Sequence, residues 1–393
     1  MSKIHVFLKR WLVPVCFVFW IFQLQLQMTG LGSFLRIPTY LIYKAAQYAV
    51  PALLLVQILF FQSHSRKQLA VWSLVTAVFT VSAWQAGPWD LLMIWLFMAA
   101  VRDQDADRLV RAGYCALLCA LIFILASFFL GRLDDVTDFR RFLNMPRHSW
   151  GYCNANILGV VLFQLAACRL YLHRNCLGPE DLIVTGGAMV FVYVVPNSLS
   201  AVACIALLLA LTLVCMVWPL LPEKPRKLVL GCFIPAAVFC NLFSVAASLC
   251  YRPGGPLETL DKLLTVRLSS SNTIYSIFGI SLFGRHLPPM FTQAEYNGVG
   301  FWMPWLDSSY MILLIRYGLI AYLVYSALYF LGMRRVQKTG NVMLLGILTI
   351  IAVHAVMEPT LFDLRYCFLP IVMFAALPSP EKSEIASHNF TGT

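Results

Sequence analysis

The sequence predicts an all-α polytopic integral membrane protein of about twelve transmembrane helices with one large loop outside the bilayer. Two observations carry this. Of 393 residues, 60% are hydrophobic and only 12% are charged, whereas a soluble domain carries about 25% charged residues. Mean hydropathy is +0.76. The apolar residues also fall in continuous runs of about twenty, the length that crosses a bilayer as helix. A barrel would need alternating segments of about ten. Backbone inside a bilayer has to satisfy its own hydrogen bonds, so continuous apolar runs read as helices.

In chain order the expected spans lie near 11–28, 38–61, 69–85, 88–101, 109–130, 151–172, 180–195, 198–219, 228–249, 307–332, 341–356 and 362–378. Lys3, Lys9 and Arg10 precede the first run as they would in a signal peptide. No small-residue cleavage site follows, and Gln23, Gln25 and Gln27 come instead, so the segment reads as a retained helix. Pro196-Asn197 is a tight turn between two helices or a break within one region. The chain therefore divides into nine helices over 1–250 with an outer loop at 131–150, a large loop at 251–306, three helices over 307–378 and a polar tail at 379–393.

Charge sets the orientation. One series of loops holds Lys3, Lys9 and Arg10, then Arg66 and Lys67, Arg102, Arg108 and Arg111, Arg169 and Arg174, Lys224, Arg226 and Lys227, Arg334, Arg335 and Lys338, and Lys382. Their alternation places them, and both termini, in the cytoplasm under the positive-inside rule. The net charge of +11 belongs to these loops and does not point to nucleic acid. The twelve cysteines form no CxxC pair and mostly lie inside apolar runs, as small buried hydrophobes do. No metal or other cofactor is expected.

Two loops on the opposite side break the charge rule. The first carries Arg132, Arg140, Arg141, Arg147 and His148. The second carries Arg252, Lys262, Arg267, Arg285, His286 and Glu295. Arginine's fixed fork of donors suits phosphate, so basic outer loops point to an anionic partner. Asp134, Asp135 and Asp138 offer Arg140 and Arg141 a simple ion pairing instead. Arg147, Arg267 and Arg285 have no acidic residue within three positions, which favours a functional role. Leu260, Leu263 and Leu264, at helical spacing ahead of Arg267, place that arginine at the membrane surface.

Further polar motifs punctuate the apolar runs. Asn154 and Asn156 open the span at 151–172, as a helix cap or as amide contacts to a ligand. Asn197-Ser198-Leu199-Ser200 reads as a turn and cap. Asp307 stands at a helix start, where it complements the dipole or accepts a proton. Glu358-Pro359 and Asp363 with Arg365 form a charged hairpin tip on the same side.

The order of 151–159, 197–200, the Arg267 region and Asp307-Ser308-Ser309-Tyr310 with Gly318 resembles the O-antigen polymerase/ligase superfamily, and most closely Wzy-type polysaccharide polymerases. The resemblance spans about residues 145–320. Ser308 stands where that family usually has Asn, Asn154-Ala155 where many members have His-Pro, and Leu199 where many have Arg. The resemblance implies a GT-C-like glycosyltransferase in a bacterial plasma membrane. Its substrate would be an oligosaccharide repeat unit on undecaprenyl pyrophosphate, polymerised into capsular or exopolysaccharide without a metal. A flippase and a chain-length regulator would be its partners.

In that reading Arg147, Arg267 and Arg285 take the pyrophosphate charge, and Asp307, His286 or Glu295 serves as base. His148, Asn154, Asn156 and Tyr310 line the substrate. Trp302 and Trp305 stack on sugar or anchor at the interface. A ligase-like transferase and a polysaccharide flippase or transporter are the alternatives. Ligases tend to carry a His near the position of Asp307, where the nearest preceding one here is His286. A transporter calls for charges deep within several spans, and these spans are nearly free of them.

Overall fold

The computed structural model describes residues 3–30, 39–139, 145–288 and 305–377. These are almost entirely helical. The described strands, β1 (Asp138–Phe139) and β2 (Pro146–Arg147), pair antiparallel as one short ribbon. Seven of the described helices are long and apolar enough to cross a membrane, the architecture of an all-α, multi-pass membrane protein.

The helices are α1 (Lys3–Gln27), α2 (Thr39–Val56, prolonged by a π turn at Gln57–Phe61), α3 (Arg66–Ala86), α4 (Asp90–Ala100), α5 (Ala106–Phe129), α6 (Ala155–Leu172), α7 (Pro179–Val194), α8 (Leu199–Val217) and α9 (Glu223–Cys250). Two short helices follow, α10 (Glu258–Leu263) and α11 (Arg267–Phe278). Then come α12 (Leu319–Lys338), α13 (Val342–His354) and α14 (Leu369–Val372). Local chemistry sets the ends. The side chain of Ser65 caps α3, Asp105 caps α5, Asn154 caps α6 and Asn341 caps α13, each accepting an N–H that the first turn leaves orphaned.

The packing is layered. α4, α6 and α13 are buried on nearly every face. The surrounding helices turn Phe60, Trp84, Ile183 and Phe239 outward, as lipid-facing helices do. α13 has 13 residues, a length of about 20 Å against a hydrocarbon core of about 30 Å. It is tolerated because α6, α8, α9 and α12 wall it in.

Three expected spans differ from the observed helices. The run at 88–101 is the short buried α4. The span expected at 307–332 is helical from Ser309, as an α turn at Ser309–Met311 and a π turn at Ile312–Tyr317, and is broken at Gly318, φ 94°, before a regular helix starts at Leu319. The run at 362–378 is apolar but mostly irregular, with only the four-residue α14.

Irregular backbone is stable at this depth only where protein satisfies it, and here polar side chains do so. Ser309 Oγ donates to the Glu358 carbonyl at 2.7 Å and accepts from Leu361 N at 3.2 Å. Gln164 Oε1 accepts from Phe368 N at 2.7 Å, Gln25 Nε2 donates to the Arg365 carbonyl at 2.9 Å, and Tyr325 donates to the Leu361 carbonyl. The glutamines inside α1 and α6 thus hold a broken segment in place.

The bundle has two chemically distinct ends. At one, Gln104 bonds the Lys9 carbonyl, Arg102 bonds Gln68, Arg174 pairs with Asp107, and Arg335 bonds the Phe374 carbonyl. This end gathers the regularly alternating basic loops. The other end gathers 145–153, 195–200, 251–288, 305–309 and 355–366.

Candidate functional site

Three chain segments converge at the second end. Arg267 Nη2 lies 2.6 Å from Glu358 Oε1, and Arg267 Nε lies 3.5 Å from Asp307 Oδ2. Its Nη1 donates to Thr265 Oγ1 at 3.0 Å. Glu358 is 4% exposed, Arg267 11% and Asp307 36%, so a buried pair has one carboxylate at its open edge. Ser200 Oγ reaches Glu358 Oε1 at 3.4 Å. Arg147 bonds Asn156 Oδ1 and the Pro196 carbonyl, and its charge acts on Glu358.

Each segment is locally built to present its side chain. Asp261, buried at the end of α10, accepts from Leu268 N at 2.8 Å and Ser269 N at 3.1 Å. It therefore fixes the start of α11 and the position of Arg267. Before Arg267, Thr265 and Val266 adopt φ of 57° and 60°, a conformation unfavourable for β-branched residues. The other described non-glycine residues with positive φ are Trp150 and Asn197. All four stand within three residues of Arg147, Ser200 or Arg267. Such strain costs about 1–3 kcal/mol per residue and clusters where function holds it.

Electrostatics follow from this enclosure. Burial pushes the Glu358 carboxyl up to about 7, against the attraction of Arg267 and with the neighbouring Asp307 adding to the rise. Asp307 is likewise raised by enclosure, with Arg267 working the other way. A carboxyl near neutrality is suited to exchange a proton.

The expected site residues separate accordingly. Arg267, Asp307, Arg147 and Asn156 belong to this region. Arg267, however, is not an open fork awaiting phosphate: all three of its nitrogens face protein groups. Its lack of acidic neighbours in sequence was misleading, because Glu358 approaches from 91 positions away. The donors expected after it are also committed, since Asn272 Nδ2 bonds the Ser248 carbonyl at the end of α9 and Ser269 Oγ bonds the Val266 carbonyl. Leu263 is exposed, in keeping with an outward apolar edge on α10.

Other expectations are corrected. Tyr310 is 1% exposed and donates to the Ala352 carbonyl at 2.9 Å, so it packs the core and does not face substrate. Asn154 is the cap of α6. His148 pairs with Asp135, which also accepts from Ser149 N and Trp150 N. Burial opposes ionisation of Asp135, but these bonds outweigh it and hold its carboxyl below the usual range. His286 lies against Gly87 at the α3–α4 turn, apart from the bonded group at Arg267.

Arg285 N donates to the Arg316 carbonyl at 2.9 Å, part of a strap whose Ser281 and Leu282 carbonyls accept from Leu319 N and Ile320 N. Arg140, Arg141, Glu295 and Trp302 lie outside the described residues. Glu358 is the residue that sequence reasoning left out of the site. Its signal was an acid-proline pair following an apolar run.

His173, Glu180 and Asp181 bring ligand-type atoms within 4.8 Å of one another. They lie at the opposite, basic end, where Arg169 Nη2 sits 3.1 Å from Asp181 and 3.8 Å from Glu180. The arginine supplies the positive charge, and the group staples α6 to α7.

No family model, no curated protein and no solved structure matches the chain.

Proposed function

We propose that this protein is a membrane-embedded glycosyltransferase of the polysaccharide-polymerase type, with a GT-C-like arrangement of its transmembrane helices. It would transfer a growing glycan from undecaprenyl pyrophosphate to the next lipid-linked repeat unit at the outer face of a bacterial plasma membrane. The basic end, with both termini, would face the cytoplasm. The observation that carries the reading is the enclosed Arg267–Glu358–Asp307 group, with Arg147 beside it, on the face opposite the alternating basic loops.

The chemistry follows from these residues. The acceptor hydroxyl oxygen attacks the anomeric carbon and gives its proton to Glu358 or, at the open edge, to Asp307. The bond from the anomeric carbon to the phosphate oxygen breaks, and its electron pair leaves with the pyrophosphate. The carbon passes through oxocarbenium character, as in glycoside hydrolysis. Arg147, bonded to an amide and a carbonyl oxygen, meets the charge developing on the leaving group. Arg267 is a positioning residue that holds Glu358 and enters the charge balance when pyrophosphate arrives.

The test is to incubate purified protein with one lipid-linked repeat unit and resolve the products. A ladder of polymer is expected, lost in Glu358→Gln and strongly reduced in Arg267→Lys, since a lysine cannot reproduce three directed contacts. Transfer to an unrelated terminal acceptor without a ladder would replace the polymerase by the ligase-like reading.

A further inference from the structure

A second polar group lies on the same face and is not used by the chemistry above. Arg365 Nε bonds both oxygens of Asp363 at 3.0 Å, and its Nη2 lies 2.6 Å from Asp363 Oδ2 and 3.3 Å from Asp90 Oδ2. Asp363 is 4% exposed, whereas Asp90 is 23% and Arg365 40% exposed. The partly exposed side chains of Asp90 and Arg365, joined through Oδ2 and Nη2, leave Asp90 Oδ1 and Arg365 Nη1 as the remaining polar atoms of the group. Neither atom has a bond among the described residues.

The surroundings are those of a ligand-facing wall. Asp90 opens α4 directly after Trp89, which is 37% exposed. Tyr43 from α2 lies within electrostatic reach of Asp90, Arg365 and Asp363. Gln25, fully buried in α1, holds the Arg365 carbonyl and leaves its Oε1 without a partner among the described residues. Tyr366 lies within electrostatic reach of both this group and the Glu358–Asp307 pair, so the two clusters adjoin.

We infer that Asp90, Asp363 and Arg365 form a subsite for a neutral sugar residue of the lipid-linked substrate, next to Glu358; this rests on the glycosyltransferase reading. A carboxylate oxygen and a guanidinium N–H side by side match neighbouring hydroxyls of a pyranose, one donating to Asp90 Oδ1 and the other accepting from Arg365 Nη1. An exposed aromatic such as Trp89 supplies a flat apolar surface for the sugar's C–H face.

The charge balance selects the ligand class. The carboxylates of Asp90 and Asp363 are balanced by Arg365 and by Arg316, whose charge acts on Asp90, which leaves no surplus positive charge for a phosphate. The guanidinium at the centre repels a metal ion. A neutral polyol needs neither. Asp363, buried and doubly bonded to Arg365, fixes the fork so that the binding edge is preorganised.

The experiment is saturation-transfer difference NMR on the full chain in nanodiscs with free glucose, galactose, rhamnose, N-acetylglucosamine and glucuronate as probes. A neutral sugar is expected to give signal in the wild type, weakened about tenfold in apparent affinity by Asp90→Ala. The Arg267→Lys variant should keep that signal. In the polymer assay Asp90→Ala should raise KM about tenfold, more than it lowers kcat. Thermal melting of Asp90→Ala close to wild type confirms that the fold is intact.

Absence of any neutral-sugar signal in the wild type would overturn the subsite, as would equal signals in wild type and Asp90→Ala. A neutral-sugar signal that depends on Asp90 in a protein that forms no polymer would leave the subsite standing and refute the polymerase. If Asp90→Ala melts early, Asp90→Asn, which keeps the shape and one acceptor, is measured in its place under the same criteria.

Discussion

Glu358→Gln isolates the chemical role of the buried pair from its structural one. The amide keeps the volume of the side chain and an oxygen to accept from Arg267 Nη2, but it cannot take a proton. Glu358 and Arg267 are 4% and 11% exposed and 2.6 Å apart, so full truncation leaves a buried guanidinium. Breaking a buried pair costs about 3–5 kcal/mol. Asp307 remains 3.5 Å from Arg267 Nε as a second counter-charge, which puts Glu358→Ala near the lower end, about 3 kcal/mol. Glu358→Gln should lose about 1 kcal/mol or less.

Turnover should fall far more, by about 10²–10⁴ for loss of a general base. The wild-type carboxyl, raised to about 7 from 4.5, keeps its proton in the folded protein over a range where the unfolded chain has shed it. Stability from this group therefore falls as pH rises from 4.5 to 7, while the fraction of active base rises across the same window. The polymer ladder and the thermal midpoint, each measured from pH 5 to 8.5, read the two effects separately. Polymer from Glu358→Gln within about threefold of wild type, about 0.65 kcal/mol, would refute the assignment. So would the same pH-rate profile in both proteins.

Asp261→Ala removes the acceptor for Leu268 N and Ser269 N, and should cost about 1–2 kcal/mol in thermal stability and reduce polymer by releasing Arg267. Gly318→Ala should abolish accumulation in the membrane, since its φ is 94° and an added Cβ would meet Gly284 N at 2.2 Å, whereas Gly231→Ala, with nothing within 4 Å, should be tolerated on an immunoblot. A cysteine at Thr259, in a background lacking Cys153 and Cys250, should react with an impermeant thiol reagent in intact cells, and one at Lys224 only after lysis; the reverse pattern inverts the topology. Polymer formation should be unaffected by a chelator, and recovery of a chelated sample only on adding magnesium or manganese would contradict the metal-free chemistry.

The apolar runs made the helical class legible, and Pro196-Asn197 marked a real turn, with α7 ending at Val194 and α8 starting at Leu199. Hydropathy was blind to the difference between a helix and a buried irregular segment, because both exclude water. The run at 362–378 looked like a span for that reason. Its signs were elsewhere, in Gln25 and Gln164, polar residues placed inside other helices to bond its backbone. Ion pairing was misread for the same kind of reason. Charges were judged against sequence neighbours, while Arg267 found Glu358 across 91 positions and Asp135 pairs with His148, 13 positions on.

The site balances two arginines, Arg147 and Arg267, against two carboxyls, Glu358 and Asp307, in surroundings that disfavour net charge. In the proposed reaction a pyrophosphate entering beside them would add negative charge and draw on the same guanidinium groups. The carboxyls give way most readily by becoming neutral, and both are already raised by burial or enclosure. Taking the proton of the attacking hydroxyl would do this at the moment the leaving group gains its charge. The proton would neutralise a carboxyl, and the guanidinium it had engaged would be released toward the departing phosphate. In the proposed reaction acid-base and charge-stabilising roles would be coupled through Arg267, so that an arginine with both Nη groups bonded and its Nε 3.5 Å from Asp307 could still belong to the reacting site. The coupling needs a carboxyl that is both bonded to the arginine and able to hold a proton near neutral pH, and Glu358 meets both conditions.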